Sequence, residues 1–132
     1  MRVPVTASLA AVLLVVIGAT PAAAGPQAYF WRWSDGVDAR ARILSEGRYR
    51  TQERLPHLVA VAEPASPRRT VTLQYRDGGV WRTEDSARTD RTGRATLALN
   101  PYCEDGAWCD ETVAYRLLVN GIQTAFTLTF TP

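Results

Sequence analysis

From residue 70 to the C-terminus, apolar side chains return at every second position, and each run is closed by turn residues. A strand sends alternate residues to opposite faces, so this pattern builds half-buried β-strands rather than the apolar stripe of a helix. Val71, Leu73 and Tyr75 alternate with Thr70, Thr72 and Gln74. Asp77-Gly78-Gly79 then turns the chain into Val80 to Ala87, where Trp81 is the one large apolar residue. Asp90 to Gly93 makes another turn before Ala95, Leu97 and Leu99, and Asn100-Pro101 ends that run. Val113, Tyr115, Leu117 and Val119 lead into Asn120-Gly121, a strong hairpin dipeptide, after which Phe126, Leu128 and Phe130 complete the last strand.

The earlier part of the chain carries the same signal less cleanly. Tyr29, Trp31 and Trp33 alternate with Phe30 and Arg32. Beyond Asp35-Gly36, Val37, Ala39, Ala41 and Ile43 alternate with Asp38, Arg40 and Arg42, which predicts a second strand with that apolar set on one face. Ser45 to Leu55 is polar, and Leu58 to Ala62 is a short apolar run closed by Pro64. Pro64 and Pro67 fit a strand leaving a sheet edge. Seven or eight strands, with turn signals every eight to twelve residues or so, predict an all-β fold, an immunoglobulin-like antiparallel β-sandwich. Trp81 takes the place of that sandwich's core tryptophan. No internal repeat, low-complexity tract or linker interrupts the pattern.

Met1 to Ala24 reads as an export signal. Arg2 supplies the positive start, Leu9 to Ile17 an apolar stretch too short to span a bilayer, and Ala22-Ala23-Ala24 a small-residue cleavage site. The mature domain is then residues 25–132, beginning near Gly25, a length that suits one core and not two. Secretion to the extracellular space follows, with no membrane insertion after cleavage. Cys103 and Cys109 are the only two cysteines, and an exported thiol pair is expected to oxidise. Closing so short a loop contributes about 2 kcal/mol in the chain-entropy model, so the bond mainly stiffens Cys103-Glu104-Asp105-Gly106-Ala107-Trp108-Cys109. The spacing is wider than that of a C-x-x-C redox motif.

Charge excludes some partners. The whole chain carries a formal +2, and the mature part, having lost Arg2, is near neutral, so neither nucleic acid nor an anionic membrane is indicated. Arginines outnumber acids up to Arg82, and acids outnumber arginines beyond it. Strands from both halves interleave in a sandwich, so the surface is expected to be mixed.

The segments Thr70-Val71-Thr72-Leu73-Gln74-Tyr75-Arg76, Trp81, Thr89 to Leu99 ending in Asn100-Pro101, and Tyr115-Arg116 together resemble the strand-and-turn pattern of immunoglobulin-like (fibronectin-III-like) domains in secreted actinobacterial proteins. The likeness covers about Leu58 to Pro132. It implies a sandwich that serves as a spacer, adhesion or ligand-binding module, and it transfers no catalytic residue.

Chemistry-bearing residues are sparse. His57 is the only histidine, and none of Ser34, Ser45, Ser66 and Ser86 has the flanks of a nucleophile elbow. One histidine and an oxidised cysteine pair leave too few soft ligands for zinc. Glu104, Asp105, Asp110 and Glu111 cluster around the pinned loop, but their spacing is not that of an EF-hand, so no metal or other cofactor is assigned. Trp108 lies in the middle of the same loop, where its ring can be offered to a ligand. The expected function is therefore non-enzymatic: association with an extracellular protein or the cell surface through Trp108, Glu104, Asp105 and Asp110 on the Cys103–Cys109 loop. Two alternatives use the same features. One is binding of a wall polysaccharide by exposed aromatics, Tyr29, Trp31 and Trp33 among them; the other is inhibition, with the rigid loop entering a target's cleft.

Overall fold

The structure is a computed structural model that describes residues 28–63 and 65–132; the segment read as an export signal and the expected mature start lie outside the described residues. Eight strands are described: β1 (Ala28–Trp33), β2 (Ala41–Ser45), β3 (Leu58–Glu63), β4 (Thr70–Asp77), β5 (Val80–Arg88), β6 (Arg94–Leu97), β7 (Glu111–Val119) and β8 (Ile122–Thr131). They form two sheets, one of order β1-β3-β6 and one of order β2-β8-β7-β4-β5. Every pairing is antiparallel except β2 with β8, which is parallel. The sheets bury the alternating residues read from the sequence, with Val71, Leu73, Leu97, Tyr115, Leu117, Phe126, Leu128 and Phe130 in one core. No helix among the described residues is long and apolar enough to cross a membrane.

The hairpin dipeptides act as expected. Asn120 and Gly121 both take positive φ, 49° and 79°, the pair of conformations that lets a two-residue loop follow the twist of β7 and β8. Gly93 serves a different need. With φ at +82°, a Cβ there would sit 3.0 Å from the Ala65 Cα, because the turn before β6 packs directly on the backbone after β3.

Three local readings are corrected. The set Val37, Ala39, Ala41 and Ile43 is not a buried face: β2 starts only at Ala41, Ile43 is 67% exposed, and Leu44 is fully buried. Pairing explains the slip. Leu44 stands opposite Phe130 in the β2–β8 register, and opposite residues share a face, so the core side of β8 forces Leu44 inward. Arg42, on that same inner side, lays its guanidinium 4.9 Å from the Trp33 ring centroid and pairs with Asp35. Helix α1 (Glu46–Tyr49) and a 3₁₀ turn (Gln52–Arg54) occupy the stretch read as merely polar. Ser45 caps α1 by accepting from the Arg48 N–H, and Tyr49 and Leu55 bury beneath it.

Trp81 is the third correction. It pairs with Arg76, which alternates with the inward Tyr75, so Trp81 faces outward and half-buried between the Arg76 and Arg116 guanidiniums at 5.5 and 4.3 Å. The fully buried tryptophan is Trp33, whose indole N–H donates to the Ala39 carbonyl at 3.0 Å.

Candidate functional site

The loop between β6 and β7 is built to hold its shape. Cys103 and Cys109 are joined, with Cα atoms 5.1 Å apart. Inside the ring the Cys103 N–H reaches the Ala107 carbonyl, the Gly106 N–H the Cys103 carbonyl, and Asp105 Oδ1 accepts from the Ala107 N–H. The Cys109 N–H closes onto Pro101. Trp108 is the loop's anchor to the core rather than its tip. It is 9% exposed, packs edge-on against Tyr102, and aims its indole N–H at the Leu44 carbonyl 3.4 Å away. Glu104, Asp105 and Asp110 remain exposed.

Beneath this loop lies a cleft of about 610 Å³. Its walls are Tyr75 and Asp77 from β4, Thr83 and Glu84 from β5, Glu111, Val113 and Tyr115 from β7, Phe130 from β8, and Asn100, Tyr102, both cysteines, Glu104 and Asp105 from the loop. Of the four loop residues expected at a site, the structure brings Glu104 and Asp105 to the cleft and leaves Asp110 and Trp108 off its walls. Five carboxylates and three tyrosines converge there, and none of the lining residues is basic.

Glu84 is the group that sequence reading missed. In the β4–β5 pairing Leu73 faces Asp85 and Gln74 faces Thr83, so Glu84 is the extra residue of a β-bulge. A bulge turns neighbouring side chains to one side of the strand. Both Glu84 and Asp85 accordingly reach back to the segment after β6: the Asn100 N–H donates to Glu84 Oε2 at 3.2 Å and the Ala98 N–H to Asp85 Oδ2 at 2.8 Å. The Tyr115 hydroxyl donates to Glu84 Oε1 at 3.1 Å.

Burial pushes the Glu84 carboxyl up to about 7; the two hydrogen bonds hold it lower than burial alone would, and the adjacent Asp85 charge adds to the rise. The Tyr115 phenol is raised as well, first by burial and then by the nearby Glu84 charge. Among the described residues, ion pairs within 4 Å join only Asp35 to Arg42 and Asp77 to Arg82. Glu84 therefore has neutral donors and no counter-cation. The only sequence signal for it is an acid in the middle of a strand, and alternation alone cannot tell a bulged acid from a solvated one.

Other candidates resolve simply. The Cys103 and Cys109 sulfurs and a Glu111 oxygen lie within 4.8 Å of one another, but both sulfurs are consumed by the disulfide, and it is the thiolate that binds metal. His57 does not line the cleft, and its backbone N–H is bonded to Ser34 Oγ. Trp33 is buried and Trp31 half-buried, edge-on to Trp33 and tilted against Phe126 with Arg40 over its ring, so these two do not form an open aromatic platform. No protein-family model, curated protein or solved structure matches the chain.

Proposed function

We propose that this chain is a secreted, immunoglobulin-like, non-enzymatic module that associates with another extracellular protein through its disulfide-pinned loop. The immunoglobulin-like reading is supported by the division of eight strands into β1-β3-β6 and β2-β8-β7-β4-β5, with an additional strand, β5, beside β4 at one edge of the larger sheet. Resemblance to secreted actinobacterial domains of this kind supports the same reading.

The observation that carries the association role is the union of a stiff loop and a concave surface. Cys103–Cys109 and three backbone hydrogen bonds hold the loop, Trp108 anchors it, and Glu104 and Asp105 stand exposed on the rim of a cleft of about 610 Å³. A pre-ordered loop loses little conformational entropy on binding, which favours recognition of a protein surface. The sugar-binding alternative loses support because the rings of Trp33 and Trp108 are buried.

The test is to immobilise the oxidised mature chain and challenge it with the secreted and envelope proteins of its host and, in parallel, with purified wall polysaccharides. A folded variant carrying Glu104→Gln, Asp105→Asn and Asp110→Asn serves as the comparison. Retention of a discrete protein that the triple variant releases is the expected result. Retention on polysaccharide alone, or a captured protein indifferent to the three substitutions, would overturn the reading.

A further inference from the structure

The cleft under the loop has a composition that selects one ligand chemistry. A concave site of this volume holds a side chain or a small organic group and has half-buried aromatic walls, Tyr75 and Tyr102, whose faces attract cations. Its charged groups are all carboxylates, in a chain whose total charge is close to balanced. A half-buried acid drawn out of water is stabilised by a cation beside it. Glu84 has an amide N–H and a phenol instead, and it lines the cleft.

Deepening the association reading above, on which it rests, we propose that this cleft is the receptor for a single arginine side chain projected by the partner protein, with Glu84 as its deep counter-ion and Glu104 at the rim. A planar guanidinium suits the place. It presents several donors to carboxylate oxygens and stacks on the faces of Tyr75 and Tyr102, and its apolar stem fits the Val113 wall. Lysine, a compact and strongly hydrated charge, fills neither role as well.

Protonation of Glu84 competes with this binding. Facing Glu84 are Asp85 on its own strand, Tyr115 and Glu111 from β7, Tyr75 and Asp77 from β4, and Glu104 and Asp105 from the loop. All are acidic or neutral, and the Asp77 carboxylate is engaged with Arg82. The acid form dominates below neutrality, so the arginine must displace a proton, and affinity rises with pH while the ligand's own charge stays constant.

The experiment is a chemical-shift titration of the oxidised mature chain with N-acetyl-arginine methylamide, its uncharged citrulline counterpart and the free amine agmatine, which keeps the guanidinium, at pH 6 and pH 8. Expected are saturable shifts at Tyr102, Glu84 and Tyr115 with the arginine amide, at least about tenfold weaker with citrulline. Affinity should gain about tenfold between pH 6 and pH 8. Glu84→Gln, which keeps an acceptor for the Asn100 N–H, should abolish the pH gain and most of the affinity; Glu104→Gln, on the exposed rim, should weaken binding about twofold and lose that effect in high salt. No saturation by about 10 mM, equal response to citrulline, or a Glu84→Gln chain that binds as well as wild type would overturn the proposal. Agmatine binding tightly where the arginine amide does not would make the site one for free amines, contradicting a protein-borne side chain. A captured partner that binds Glu84→Gln normally sinks the arginine pocket and leaves the association role; arginine binding with no captured protein does the reverse.

Discussion

Glu84→Gln offers the sharpest physical test of the bulge and its surroundings. The Glu84 carboxyl titrates near 7 in the folded chain against 4.5 for an unperturbed group, chiefly because it is desolvated. Between those two values the folded state holds a proton that the unfolded state has released. Stability therefore falls as pH rises across this window, and the loss is complete above the folded-state value. A difference of this size, at about 1.4 kcal/mol for each pH unit, is worth about 3 kcal/mol, and residual solvent contact at a half-buried strand position reduces it toward 2. Glutamine is neutral at every pH and still accepts from the Asn100 N–H, so the variant should lack this slope. Urea unfolding of both proteins at pH 5, 6, 7 and 8, with the disulfide intact, reads the difference directly. The variant should gain about 2 to 3 kcal/mol relative to wild type from pH 5 to pH 8. Parallel curves for the two proteins across that range would refute the reasoning. Asp35 and Asp90, both held below the usual carboxylate range by hydrogen bonds, complete their titration at lower pH and leave the window clear.

Three further outcomes follow from the packing. Leu44→Ala should cost about 2 to 5 kcal/mol while Ile43→Thr, one residue away, changes stability by less than about 0.5; equal costs in denaturant unfolding would contradict the β2 register. Gly93→Ala should destabilise by more than about 1 kcal/mol, since it combines a positive φ with a 3.0 Å approach to Ala65, and a melting temperature unchanged by circular dichroism would show that the turn relaxes freely. Replacing Cys103 and Cys109 together by serine should cost about 2 kcal/mol and leave the sheets folded, which far-ultraviolet circular dichroism and a urea melt can check.

What the sequence revealed, and what it hid, follows from how local each determinant is. The strands β4, β7 and β8 were legible because Val71/Leu73, Tyr115/Leu117/Val119 and Phe126/Leu128/Phe130 alternate cleanly and meet at turn residues with positive φ. The face of β2 was not, because Ile43 and Leu44 are both apolar and only the distant partner Phe130 decides between them. Trp81 looked like core by type, yet its pairing with Arg76 turns it outward. The acids of the pinned loop were legible as a cluster, but the cleft they border is assembled from two hairpins, β4–β5 and β7–β8, that are separated in sequence by β6 and the loop itself. Glu84 was the hardest to see. Its inward aim depends on one unpaired residue in the β4–β5 ladder, and nothing in the run Val80 to Arg88 marks where the bulge falls.

The central claim is that the pinned loop and its cleft form the surface that meets a partner protein. It is tested most directly by placing a photo-crosslinking residue at Glu104 in one sample and at Ile43, exposed on the outer side of β2, in another, and irradiating each in its host's secreted proteome. A discrete protein adduct formed from position 104 and not from position 43 is the predicted result. Adducts from position 43 alone, or from position 104 to wall polymer and to no protein, would contradict it.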